Sequence, residues 1–165
     1  MRKESAEKGA ALLELLLFLI LAGVFFRQAV PAAVQLYQYG AVRYEAEHLL
    51  SEIRYQQMLA RTSVNGMADD GDQSYLSARP RLKIDGKGYV RYRGSNPEDR
   101  HSCLPSVRMQ FNGDWDGKDQ FLYFGGSGNI YPNIAILIFA SGGGNINCRL
   151  VIDTAGRVRL ERSGS

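Results

Sequence analysis

Residues Ala10 to Phe26 read AALLELLLFLILAGVFF, seventeen residues with a single charge, Glu14. As a helix rising about 1.5 Å per residue, this run is roughly 25 Å long, the lower end of what crosses a bilayer. Extension to Ala33 adds only Arg27 and Gln28 as strongly polar side chains, and Arg27 can snorkel to an interface. The segment ahead of the run, MRKESAEKG, carries three basic and two acidic residues. Basic residues before an apolar run favour keeping that end in the cytoplasm.

Three readings of this segment compete. A secretory signal peptide needs small residues at a cleavage site after the apolar core, and Phe25-Phe26-Arg27-Gln28 is a poor one, with Ala22-Gly23 a weak alternative. A plain signal anchor has no use for Glu14, because a carboxylate near the middle of a spanning helix costs about 2.5–3.5 kcal/mol on insertion scales. The third reading joins Gly9 to Glu14. A cut after Gly9 would give Ala10 a new ammonium group, and a carboxylate in lipid needs a cationic partner. The terminal amine of an adjacent subunit supplies one and would set the stagger between subunits.

On these residues the sequence resembles the type IV pilins and pseudopilins. Lys8-Gly9 followed by Ala10-Ala11-Leu12-Leu13-Glu14-Leu15 is similar to their prepilin cleavage motif, in which the cut follows the glycine and a glutamate stands fifth beyond it. Pro31 and Gly23 fall where many pilins have a proline and a glycine; Ala10 departs from the usual phenylalanine. The resemblance implies trimming by a prepilin peptidase, N-methylation, and an inner-membrane assembly platform. It also implies a single pass through the bacterial cytoplasmic membrane with the C-terminal domain outside, and incorporation into a pilus or pseudopilus beside other pilin subunits. Its expected divisions are a leader at 1–9, a membrane and assembly helix at 10–33, an amphipathic continuation at 34–62 and a β-rich domain at 63–165.

The residues beyond the apolar run continue the helix. Val30, Val34, Tyr37, Ala41, Tyr44, His48, Tyr55 and Leu59 are mostly spaced by three and four and are expected to share a face. Leu49, Leu50, Ile53 and Leu59 offer a second apolar face. A helix from Ala10 to Thr62 would be ~80 Å long, too long for a domain of this size to cover. Its first half would lie in lipid or against other subunits, and its second half against its own domain. His48 reads as a half-buried helix residue rather than a ligand, and the helix should stop near Ser63–Gly66.

From there the pattern turns to strands. Arg81–Ile84 and Tyr89–Tyr92 flank Asp85-Gly86-Lys87-Gly88, a hairpin signal. Val107–Phe111, Phe121–Phe124, Ile134–Ala140, Cys148–Asp153 and Arg157–Glu161 are apolar or alternating runs. The expectation is an α+β chain, one long helix packed on a mainly antiparallel sheet. Leu50 to Ala60, Phe124, Gly128-Asn129, Ile134–Phe139, Leu150-Val151-Ile152 and Gly156-Arg157-Val158-Arg159 are similar to minor pseudopilins of the GspH/FimT group and to ComGD-type competence pseudopilins.

Few residues suggest chemistry. With 20 basic and 17 acidic side chains, the net charge of +3 is too mild to argue for a nucleic-acid partner. Two cysteines and two histidines, the histidines 53 positions apart, leave little material for a metal site, and no cofactor is expected. Asp114, Asp116 and Asp119 are a weak calcium candidate without the bidentate glutamate of an EF-hand; they and Asp69, Asp70 and Asp72 read as solvated turns. Gly125–Gly128 and Gly142–Gly144 read as turns, not phosphate cradles. No nucleophile elbow, P-loop or zincin motif is present, and an enzyme is not expected.

Arg157 and Arg159 would share one face of a strand, with Arg162 beyond and Arg149, Arg91, Arg93, Arg79 and Arg81 as further contributors if they fold nearby. Such a surface would hold phosphates with strong salt dependence. Resemblance to FimT-like minor pilins implies DNA contact by Gly-Arg-x-Arg during uptake; in the secretion-type relatives the same turn is structural. Cys103 and Cys148 are a candidate disulfide for an exported domain. The bridge would close a loop of about 45 residues, worth roughly 4 kcal/mol in the chain-entropy account.

Overall fold

The protein is described by a computed structural model over residues 2–63, 79–112, 121–142, 146–153 and 155–162, with side chains for all of these but 2–11, 63, 112 and 162. Helix α1 spans Arg2–Ser63, with Pro31 inside it. The chain forms two compact units, Met1–Tyr37 and Gln38–Ser165.

In the first unit the helical side chains from Leu12 through Leu21 are exposed, as are Val24, Phe25, Phe26 and Val30. The apolar window has a mean hydropathy of 2.0 and is 0% buried, and by length and composition it is able to cross a membrane.

The second unit is α+β. After α1 come β1 (Pro80–Asp85), β2 (Gly88–Arg93), β3 (Asn96–Ser102), β4 (Val107–Asn112), β5 (Phe121–Phe124), β6 (Ile130–Tyr131), β7 (Ala135–Ala140), β8 (Asn147–Ile152) and β9 (Val158–Arg162). They build two sheets, β3-β2-β1-β5-β6 and β4-β7-β8-β9, and every pairing is antiparallel. The sheets meet where the Met109 N–H of β4 donates to the Gly86 carbonyl of the β1–β2 turn at 3.3 Å.

One core joins helix and sheets. Val42, Ala46, Leu49, Ile53 and Ala60 of α1 cluster with Leu82, Ile84, Leu122 and Phe124 of the first sheet. Met109, Ile136, Ile138, Leu150 and Ile152 of the second sheet complete it. Along β1, β5 and β8 the buried residues alternate with more exposed ones, as the period of two requires.

Of the two apolar faces expected of the helix, the buried one takes Leu49 and Ile53 from the second, with Leu50 packed against it, rather than the tyrosine-bearing one. In the tyrosine-bearing set, Ala41 is buried and His48 half-buried, but Tyr44 and Tyr55 are exposed. The stripe that packs is Ala41, Val42, Glu45, Ala46, Leu49, Ile53, Gln56 and Ala60. Its small and aliphatic members let the helix backbone approach the sheets, whereas the tyrosines keep their phenols in water. At the C-terminal end the Thr62 hydroxyl donates to the Met58 and Leu59 carbonyls, and Arg61 places a cation in the last turn.

The seven expected strands form, each within one or two residues of its expected ends. The short β6 and the seven-residue β3 were not expected. Strand β3 reads NPEDRHS, with no apolar residue and with Pro97 second. It is an edge strand, and the register shifts at Arg91/Tyr92 of its partner β2 near Pro97. A proline, charges and an irregularity are the features that keep an edge from pairing further. What holds it is a ladder plus ion pairs: Arg93 to Glu98 at 2.7 Å, Arg100 to Asp85 at 2.8 Å, and Arg91 to Asp99 at 3.3 Å.

Candidate functional site: the assembly helix, the arginine turn and a buried polar cluster

Gly9 and Ala10 lie in the first turns of α1, and Glu14, Arg27 and Pro31 are exposed along it. The chemistry available to this segment is burial of apolar area against lipid or another helix, with Glu14 as the one anionic contact point.

The C-terminal arginines sit on and beside β9. Asp153 organises the turn before it. Its Oδ1 accepts the N–H groups of Ala155 and Arg157, both at 2.9 Å, and its Oδ2 accepts Arg157 Nε at 2.9 Å. The Arg157 N–H holds the Asp153 carboxyl below its usual range; burial opposes it, and the Arg157 guanidinium adds a lesser lowering. Arg157 is therefore exposed yet tied into its own turn, while Arg159 is exposed on the strand. Arg159 stands opposite Val151, and Arg149 opposite Glu161, so Arg149 and Arg159 share the outward face of the second sheet as diagonal neighbours.

Three of the other expected contributors lie elsewhere. Arg81, Arg91 and Arg93 belong to the first sheet. Arg91 pairs with Glu52, Glu98 and Asp99, Arg93 pairs with Glu98, and Arg81 donates to the Gly94 carbonyl.

The glycine turns are structural. Gln57 of α1 donates from Nε2 to the carbonyls of Gly128 and Gly156, each at 2.7 Å. Those glycines belong to the β5–β6 and β8–β9 connections, so one amide clamps a turn from each sheet to the helix. Both have positive φ, 86° and 73°. A Cβ on Gly156 would collide with the Gly128 carbonyl oxygen, and one on Gly128 with the Arg61 guanidinium.

Cys103 follows β3 and Cys148 lies in β8; both are thiols and no disulfide joins them. The Cys103 thiol is engaged by the Glu45 carboxylate, and Cys148 is opposite Ile138 and Arg162 in its sheet. Asp114, Asp116 and Asp119, like Asp69, Asp70 and Asp72, lie outside the described residues.

A cluster that sequence reasoning missed centres on Glu45, which is 1% exposed in the apolar stripe of α1. Glu45 Oε1 accepts the Leu104 N–H at 2.9 Å and Oε2 meets His101 Nε2 at 2.8 Å. The His101 ring stacks on His48 at 4.3 Å and on Tyr89 at 4.9 Å, and the Tyr89 hydroxyl meets His48 Nδ1 at 2.7 Å. The available sequence signal was the spacing Ala41–Glu45–Leu49–Ile53, which puts a carboxylate in a helical row of core residues.

No family model matches the sequence, and comparison with curated proteins gives no match. Solved structures do match. The type IV minor pilin FimU of Pseudomonas aeruginosa superposes with a TM-score of 0.51 at 19% identity, over 73% of this chain and 93% of that one. The minor pseudopilin EpsH from the type 2 secretion system of Vibrio cholerae superposes with a TM-score of 0.53 at 15% identity, over 76% of this chain and 99% of that one. The long N-terminal helix on antiparallel sheets is thus the fold of the minor pilins and minor pseudopilins.

Proposed function

We propose that this chain is a minor pilin-like subunit of a type IV filament machine. In this reading a prepilin peptidase cuts after Gly9 and can methylate the new amine of Ala10. The subunit waits in the cytoplasmic membrane through its apolar helix, its β domain outside, and is extracted by an assembly platform into a pilus or pseudopilus. Glu14 pairs with the Ala10 ammonium of a neighbouring subunit, and Pro31 loosens the helix by removing one backbone hydrogen bond. The role is assembly, not catalysis.

The observation that carries the reading is the contrast along α1. Residues from Leu12 to Val30 expose a large apolar surface, while the same helix from Ala41 onward is sealed into a core of the minor-pilin fold. An exposed apolar surface of this extent calls for lipid or partner helices. The test is N-terminal sequencing and intact mass of the chain co-expressed with a prepilin peptidase. A chain beginning at Ala10 supports the reading; an intact Met1 beside an active peptidase overturns it and leaves a signal-anchored envelope domain.

A second reading, DNA contact, is favoured by the exposure of Arg157, Arg159 and Arg149 at one end of the second sheet. It expects binding of duplex DNA that weakens steeply with salt and is lost in the Arg157→Ala, Arg159→Ala double variant. Unchanged binding in that variant removes it.

A further inference from the structure

We propose that Glu45, His101 and Cys103 form a binding site for one divalent metal ion of the zinc class. A carboxylate oxygen of Glu45, a ring nitrogen of His101 and the Cys103 sulfur lie within 4.8 Å of one another. Zinc binds such atoms at about 2.0–2.3 Å with tetrahedral angles, so its ligands stand roughly 3.3–3.8 Å apart. Closing the observed triangle around an ion takes side-chain movement of about 1 Å.

The donor set matches the ion. Mixed thiolate, imidazole and carboxylate ligation is characteristic of zinc, whereas calcium and magnesium take oxygen. Three protein ligands leave a fourth position for water. A cleft of about 250 Å³, lined in part by His48, Tyr89, Asp99 and Arg100, reaches one of the three ligands, His101.

The ligands are held in advance. Glu45 stands on α1 with Oε1 fixed by the Leu104 N–H. His101 is in the β2–β3 ladder opposite Tyr89, and its ring is in stacking contact with both His48 and Tyr89. The Cys103 N–H donates to the Lys87 carbonyl at 2.8 Å, so the chain is pinned on both sides of the thiol. Rigid elements and outer hydrogen bonds are what a metal site requires of its support.

Binding of the ion by Cys103 as thiolate releases its proton to solvent.

The experiment uses the full chain in detergent, reduced and stripped of metal, titrated with Co²⁺ and then Zn²⁺. Cys103 and Cys148 are the only cysteines in the sequence, so a thiolate-to-cobalt charge-transfer band has two sources to choose from. The expected result is one equivalent of Co²⁺ producing the band and one of Zn²⁺ abolishing it. The band should be absent in Cys103→Ser and kept in Cys148→Ser. His101→Gln should weaken zinc by more than the roughly 10–100-fold that loss of an outer partner costs. No band in the wild-type chain with both thiols titrated as reduced overturns the site. So does a band that follows Cys148, or a zinc affinity unchanged in His101→Gln. The wild-type spectrum decides the matter even if a variant fails to fold.

Discussion

The rings of His48 and His101 stack at 4.3 Å, although 53 positions separate them in the chain. One stands on α1 and the other on an edge strand, and the Tyr89 hydroxyl closes the group by meeting His48 Nδ1 at 2.7 Å. A buried polar cluster is thereby built across the contact between helix and first sheet, where loss of any member leaves a partner unsatisfied.

Tyr89→Phe tests that cluster. Removing the hydroxyl while keeping the ring should destabilise the β domain by about 0.5–1.5 kcal/mol, read from the urea midpoint. Burial, followed by the charges of Glu52 and Glu45, raises the Tyr89 phenol above 10. A phenol raised on folding contributes stability that is fully present below its unfolded pKa and is lost as pH rises beyond it. The wild-type chain should therefore lose stability above pH ~10 more steeply than Tyr89→Phe.

The Gln57 clamp makes two related expectations. Gln57→Ala frees two turn carbonyls and should cost roughly 1–3 kcal/mol in thermal or chemical unfolding. Gly156→Ala should cost more, since it adds a strained φ to a collision with the Gly128 carbonyl oxygen, and should displace the amide signals of both glycine turns.

Asp153 gives an acid-side expectation. Its carboxyl is lowered chiefly by the Arg157 N–H, with the Arg157 guanidinium and the Ala155 N–H adding to it. A depressed carboxyl contributes stability present above the unfolded value of 3.8 and lost as pH falls through the lower folded value. Carbon-detected titration should place Asp153 below exposed aspartates. Arg157→Ala keeps the N–H and removes the guanidinium, so it should move Asp153 upward only part of the way; an unmoved Asp153 would remove the guanidinium's part in holding the turn.

The two stretches of α1 should respond oppositely to truncation. Leu49, 0% exposed, should cost about 2–5 kcal/mol of β-domain stability as Leu49→Ala. Leu16, 55% exposed, should leave that stability unchanged as Leu16→Ala and show its effect in membrane retention or filament incorporation. In the same assay Glu14→Leu should keep membrane insertion and lose incorporation.

Local pattern was enough for the membrane-length apolar run, for the helix that follows it, and for the seven strands whose apolar residues alternate or cluster. Hydrophobic periodicity and turn residues are properties of neighbours in sequence, and so can be read there. Both apolar faces of the helix were legible, but not which of them is buried, because tyrosines and aliphatic residues both satisfy the three-four spacing and only the sheets decide which pack. Strand β3 was hidden because its order comes from hydrogen bonds and ion pairs with β2 and β1, not from apolar alternation. The grouping of Glu45, His48, Tyr89, His101 and Cys103, and the reach of Gln57 to two separate turns, exist only once helix and sheets are packed. They are contacts over tens of residues, fixed by the register of strands and the rotation of a helix, and no local signal encodes them.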